Sequence, residues 1–260
     1  MDIRKIIVSG NRERVFINTA IGCEAQCHYC YLPNIGIEKI DNNIDKLDII
    51  EEIEKREKMG EFIKGPSGTI VSFGCFTECW NKKTKDLTMQ VLLYFFNKGN
   101  YIQIATKEYI EEKDIIFLCE NLMYKNQLTI NISLPVFYEA KQIEPNAEIV
   151  EKRIENFRYN EKYGIDIILY IKPVIENITI GNKDVYIKLI KQHKLKVVVG
   201  KYLHGKKIKN SEQQMVGDSE MWQIDSEQHS KLKNDLQKIT NVYENSTQVI
   251  EDYRKQRNMR

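Results

Sequence analysis

The sequence has no long apolar run: nowhere in its 260 residues is there a stretch near the roughly 20 apolar residues that a membrane-spanning helix requires. Its opening, Met1-Asp2-Ile3-Arg4-Lys5, lacks the apolar stretch of a secretion signal, so a cytoplasmic protein without membrane contact is expected. Charge of one sign is scarce as well. With 39 Lys and Arg against 37 Asp and Glu, the net charge is only +2, which removes any global electrostatic case for a nucleic-acid-binding surface. Six cysteines are too few for a disulfide scaffold in a chain of this size, and in a reducing compartment clustered thiols bind metal more often than they cross-link. No internal repeat or low-complexity tract is present.

What is present is an alternation of two periods. Short β-branched runs at Val15 to Ile21, Thr69 to Gly74, Tyr101 to Thr106, Leu128 to Leu134, Ile165 to Ile171 and Lys196 to Tyr202 read as strands buried on both faces. Between them lie helical patterns at about Lys46 to Met59, Asp86 to Lys98, Glu111 to Tyr124, Ala147 to Tyr163 and Lys183 to His193. Gly99 and Gly164 stand where helix C-caps belong, and Thr84 or Asp86 starts the second helix. Repeated βα units imply parallel strands with right-handed crossovers, hence a barrel or part of one. Six units are too few for a closed eight-stranded barrel. From about residue 206 the rhythm breaks into a polar, Lys-rich stretch and two charged helical patterns, Ser226 to Ile239 and Ser246 to Arg257. This predicts a barrel over 1–205 and a helical C-terminal appendage over 206–260.

The first predicted strand runs into Gly22-Cys23-Glu24-Ala25-Gln26-Cys27-His28-Tyr29-Cys30-Tyr31-Leu32. The C-x3-C-x2-C spacing gathers three thiolates on one loop, enough to hold an iron–sulfur cubane with one iron free of protein ligands. A structural zinc site would want a fourth Cys or His, and only His28, inside the loop, and the distant Cys75 and Cys79 are on offer. The spacing, with an aromatic residue before its last cysteine (Tyr29), resembles the radical S-adenosylmethionine (SAM) superfamily. That resemblance implies a [4Fe-4S] cluster on Cys23, Cys27 and Cys30, and SAM chelated by the open iron and cleaved reductively to a 5'-deoxyadenosyl radical. It also implies an electron donor such as flavodoxin or ferredoxin, and a partial (β/α)6 TIM-type barrel, which agrees with the six βα units.

In parallel barrels functional groups collect at the C-terminal ends of the strands. After the second strand comes Gly74-Cys75-Phe76-Thr77-Glu78-Cys79-Trp80, and after the third Ala105-Thr106-Lys107-Glu108. By the resemblance, Thr77 and Glu78 contact the SAM amino group, Lys107 its carboxylate, and Asn131 and Ser133 the ribose. Read without it, each of these is equally a solvated loop or turn residue. Within the superfamily the chain looks most like the spore photoproduct lyase group. The match lies in Cys27-His28-Tyr29-Cys30-Tyr31-Leu32, Ser72-Phe73-Gly74-Cys75-Phe76-Thr77-Glu78, Ile104-Ala105-Thr106-Lys107, and Glu144-Pro145 with Arg153. In that lyase a cysteine after the second strand returns a hydrogen atom to the product radical, helped by a tyrosine after the cluster; Cys75 and Tyr31 occupy those places. The lyase also has a β-hairpin near its C terminus that enters DNA, whereas this tail reads as polar helices. Cys75 could instead be a buried small hydrophobe, Cys79 a redox partner, a ligand or packing, and Cys119 core.

Lys201, Lys206, Lys207 and Lys209, with Tyr202 and His204 among them, follow the last strand and are expected on the rim, with Pro173 and Glu176 nearby. A basic rim with aromatics suits a nucleotide or nucleic-acid substrate, although lysines in a lysine-rich chain also serve as plain solvated surface. Arg153 is expected as an ion-pair partner on the outer helix. Three functions compete: a radical SAM enzyme acting on a nucleotide or nucleic acid, one acting on a peptide or small metabolite, and a nonenzymatic metal-stabilised binding module.

Overall fold

The computed structural model describes residues 4–216 and 219–259. Its strands are β1 (Val8–Gly10), β2 (Arg14–Ile17), β3 (Ile70–Phe73), β4 (Ile102–Thr106), β5 (Leu128–Ser133), β6 (Asp166–Ile171), β7 (Val197–Val199), β8 (Leu203–His204), β9 (Glu212–Val216), β10 (Ser219–Gln223) and β11 (Val242–Tyr243). The main sheet has the order β1-β2-β3-β4-β5-β6-β7-β11. From β2 to β11 every neighbour pair is parallel, and only β1 runs antiparallel, against β2. β2 to β7 are the six expected strands of a partial (β/α)6 barrel, with β1 and β11 as added edges. None of the helices among the described residues is long and apolar enough to cross a membrane.

Strand alternation explains why the runs are apolar yet carry polar residues. Side chains along a strand point alternately to opposite faces. Val71, Phe73, Ile102, Ile104, Ile130, Ile132, Ile167 and Leu169 belong to the main core cluster. The opposite face carries Ile70, Tyr101, Ile168 and Val198, which pack with Val249, Ile250 and Tyr253 of helix Ser246–Asn258 in a second cluster. The C-terminal helix therefore stoppers the barrel interior near the strand starts. Above it the inner face turns polar, with Ser72, Gln103 and Asn131 all buried.

Three expectations change. The first strand stops at Ile17 rather than Ile21 because Asn18 is spent on side-chain bonds: its Nδ2 donates to Ile6 O at 2.8 Å and its Oδ1 accepts from Phe76 N at 2.9 Å. The helix expected over Ala147 to Tyr163 divides into Val150–Glu155 and Arg158–Tyr163. Asn156 sits at the break, where its Oδ1 accepts from Ile110 N and its Nδ2 donates to Glu108 O. The tail is not only helical. Between Lys201 and helix Glu227–Gln237 it forms an antiparallel sheet β8-β10-β9, whose polar outer face hid the strand period.

Candidate active site

Two glycines shape the loops that carry the chemistry. Gly74 has φ +83°, and a Cβ there would stand 2.3 Å from the Ala105 carbonyl oxygen, so glycine is required where the chain leaves β3. Gly22 has φ +85° with Lys39 O 2.5 Å from the same ideal position. The two turns are joined, Gly22 N donating to Phe76 O at 2.9 Å. The cysteine loop and the Cys75 loop thus meet at the C-terminal end of the barrel.

There they border a cavity of about 600 Å³. Cys23, Cys27, Cys30, Tyr29, Tyr31, Cys75, Thr77, Glu78, Lys107, Asn131 and Ser133 all line it, so the candidates for cluster, SAM contact and hydrogen transfer border one place. A wider groove of about 1700 Å³ lies along β1, β2 and helix Lys46–Lys58 and contains no cysteine; the smaller cavity holds the reactive groups and is the candidate site.

Glu78 is the most constrained of these residues. Its Oε1 accepts from Thr106 Oγ1 at 2.5 Å and Trp80 N at 3.0 Å, and its Oε2 accepts from Lys107 N at 2.9 Å. Those bonds fix a carboxylate between the loops after β3 and β4. The Lys107 ammonium lies 5.5 Å from the Tyr29 ring centroid, and the Cys27, Glu144 and Glu78 charges overcome its burial and hold its pKa above the ordinary value. Asn131 Nδ2 donates to Ile104 O at 3.0 Å, while its buried Oδ1 has no partner. A buried acceptor left open at a cavity wall is costly unless something donates to it.

Tyr29 is latched from behind. Its hydroxyl donates to Glu144, and Glu144 Oε2 takes Arg153 Nη1 at 2.7 Å with both side chains all but fully buried. Arg153 Nη1 also donates to Ser133 O at 2.9 Å. Arg153 is the ion-pair partner expected, placed in the interior rather than on an outer helix face. Tyr31 makes a second latch: its hydroxyl donates to the Cys75 carbonyl oxygen and its Oη lies 3.4 Å from Cys75 Sγ. Burial pushes the Cys75 thiol up, against the opposing influence of the Tyr31 hydrogen bond and the Arg14 and Lys172 charges, so it holds its proton at neutral pH.

Burial likewise pushes the Cys23 thiol up to about 12, with the Glu78 charge adding to it, and raises Cys27. Among the described residues no three His, Cys, Asp or Glu side chains stand close enough to hold one metal ion. A cubane takes one thiolate at each of three separate irons, so it fits three thiols of one loop that do not close on a single ion.

The remaining expectations divide. Pro173 and Lys201 line the cavity; Glu176, Lys206, Lys207 and Lys209 do not. Lys207 instead lies 5.4 Å from the Trp222 ring on the outer sheet. Cys79 is wholly buried with its thiol 3.6 Å from Ala105 O, a packing role, and Cys119 is only partly buried against the core. Sequence reasoning missed Arg14, Ser72, Gln103, Tyr170, Lys172 and Ser246, which line the inner wall. Their signal was present in part: Ser72 and Gln103 are polar residues inside otherwise apolar strands, two positions after Ile70 and Tyr101 and so on the same inner face.

No family model matches the sequence, and no curated protein matches it. Solved structures do share its fold. A cysteine-to-serine variant of spore photoproduct lyase superposes with a TM-score of 0.64 at 14% identity, covering 87% of this chain and 74% of that one. Another variant of that lyase, with bound AdoMet and dinucleoside spore photoproduct, gives 0.62 at 15% identity over 89% and 76%. Streptococcus suis SuiB bound to S-adenosylmethionine gives 0.58 at 13% identity over 90% of this chain and 50% of that one.

Proposed function

We propose that this protein is a radical SAM enzyme whose substrate is a nucleotide or nucleic acid, with lyase-like hydrogen return through Cys75. The observation that carries the reading is the convergence of Cys23, Cys27 and Cys30 with Glu78, Lys107 and the open acceptor of Asn131 in one cavity at the C-terminal end of the barrel. The fold it shares with structures that hold S-adenosylmethionine supports it.

Cys23, Cys27 and Cys30 would hold a [4Fe-4S] cluster and leave its fourth iron to SAM. Glu78 and Thr77 would receive the SAM ammonium, Lys107 its carboxylate, and Asn131 and Ser133 the ribose hydroxyls. When bound, this pair supplies reductive cleavage of SAM to a 5'-deoxyadenosyl radical that takes hydrogen from substrate, after one electron from a flavodoxin- or ferredoxin-type donor. The chain's own residues then act. Cys75 gives the hydrogen of its S–H to a carbon radical on the substrate: the S–H bond breaks and a stronger C–H bond forms. Tyr31 passes a proton and an electron from its hydroxyl to the sulfur, 3.4 Å away, restoring the thiol and leaving a tyrosyl radical that one further electron from the donor and a solvent proton return to tyrosine. Burial of Cys75 keeps the donor as thiol rather than thiolate.

A peptide substrate is the second reading, supported by a SuiB structure bound to precursor peptide SuiA, with a TM-score of 0.53 over 73% of this chain. The cationic inner wall favours the first. The test is anaerobic reconstitution with iron and sulfide, followed by reductant and SAM. Production of 5'-deoxyadenosine by the wild-type protein and none by a Cys23→Ala, Cys27→Ala, Cys30→Ala variant is expected; equal yields from both would contradict the reading.

A further inference from the structure

The same cavity wall as Cys75 carries an arginine, Arg14. Arg14 extends from β2 across the inner face, and its Nε donates to Ser72 Oγ at 2.8 Å. Its Nη2 lies 3.5 Å from Ser246 Oγ. With the Gln103 amide oriented to satisfy both its ends, Gln103 oxygen accepts from Arg14 Nη2 at 3.0 Å and Gln103 nitrogen donates to Ser246 Oγ at 2.8 Å. The guanidinium also lies 4.5 Å from the Phe16 ring centroid. All these partners are neutral.

That matters because a largely buried cation is costly without a counter-charge. Burial holds Arg14 below its ordinary pKa, and the groups that act on its charge are Tyr170, Cys75 and Tyr31, with no carboxylate among them. Arg153, almost fully buried, is by contrast matched by Glu144 at 2.7 Å. Two more cations share the wall. Lys172 has no ion pair among the described residues, and Lys201 reaches Glu212 only at 3.9 Å. Away from Glu78, the lining holds one carboxylate, the exposed Glu38. Asn245, the N-cap of the 13-residue C-terminal helix, and Ser246, its first residue, line the same space and bring the positive end of its dipole with them.

We infer that Arg14 anchors a phosphate group of the substrate on this wall, with Lys172, Lys201 and the Ser246 helix turn completing the subsite. With Nε bonded to Ser72 and Nη2 to Gln103, Arg14 keeps its Nη1 hydrogens and one Nη2 hydrogen for phosphate oxygens. Three cations and a helix N-terminus supply more positive charge than a single carboxylate would need, which favours phosphate. Ser72 and Cys75 stand three residues apart across the turn at Gly74, and both line the cavity with Arg14. The spacing suits a nucleotide whose phosphate rests at Arg14 while its sugar or base reaches the thiol. The inference takes from the radical reading only that substrate enters this cavity.

The test uses the reconstituted protein with SAM and measures binding by calorimetry. Thymidine monophosphate is compared with thymidine, with pyrophosphate and succinate as competitors. Thymidine monophosphate should bind at least about tenfold tighter than thymidine, about 1.4 kcal/mol. That increment should vanish in Arg14→Gln and return in part in Arg14→Lys, with SAM affinity unchanged in both. Pyrophosphate should displace the nucleotide and succinate should not. If Arg14→Gln fails to fold, Lys172→Gln is used, and the increment should shrink there. No increment in the wild type, an increment untouched by these substitutions, or displacement by succinate as readily as by pyrophosphate would overturn the subsite. A protein that shows the Arg14-dependent increment but forms no cluster contradicts the radical reading alone; one that forms the cluster and binds SAM without the increment contradicts the subsite alone.

Discussion

Tyr31 Oη stands 3.4 Å from Cys75 Sγ, and the same hydroxyl donates to the Cys75 backbone carbonyl. One residue comes from the cysteine loop after β2 and the other from the loop after β3, so the contact exists only because both loops end at one cavity. Turnover in deuterated buffer reads its chemistry. Cys75→Ala should abolish solvent deuterium in the product. Tyr31→Phe should keep the first transfer but slow repeated turnover by about tenfold or more, since the thiyl loses the donor beside it. Mass spectrometry of product checks both; full labelling by Cys75→Ala would exclude Cys75 as donor.

The pair Glu144 and Arg153 should behave as a buried salt bridge. Removing one partner, as in Arg153→Met, leaves a buried charge unmatched and should cost about 3–5 kcal/mol. The double change Glu144→Leu, Arg153→Met should cost much less than the sum of the two single changes. Denaturant melts of the three variants test this, and additive losses would show that the two do not act as a pair.

Ile250 is wholly buried in the cluster that stoppers the barrel. Ile250→Ala should therefore cost about 2–5 kcal/mol, which an exposed tail could not. A melting point like that of the wild type would mean that the C-terminal helix does not support the barrel.

Burial, reinforced by the Glu78 charge, raises the Glu108 carboxyl from 4.5 to about 7. A group that binds its proton more tightly when folded gives its full stabilisation below 4.5 and loses it as pH rises through about 7. Glu108→Gln should then gain stability relative to wild type as pH climbs across that window and hold a constant difference above it. Thermal melts across the window check the sign; a difference independent of pH would contradict it.

The barrel was legible because its strands are short apolar runs separated by helices of ordinary length, and the caps at Gly99 and Gly164 lie where the periods change. The cysteine loop and the strand-end residues were legible because function in a parallel barrel gathers at one end. The β8-β10-β9 sheet was not. Its strands carry Glu, Gln and other polar residues on an exposed face, so among the described residues only Leu203, Val216 and Met221 mark the buried side. Arg14 was invisible for another reason: at the first position of a four-residue strand, nothing in its neighbours tells whether an arginine points to solvent or into the barrel. The Glu144–Arg153 pair needed the chain to fold back over β5 before it meant anything.

The most direct measurement is electron paramagnetic resonance of the anaerobically reconstituted, reduced protein, recorded without and with SAM. A [4Fe-4S]+ signal that changes when SAM is added, and that is absent when Cys23, Cys27 and Cys30 are alanine, is expected. Intact cysteines that yield no cubane signal, or a signal indifferent to SAM, would contradict the radical SAM assignment.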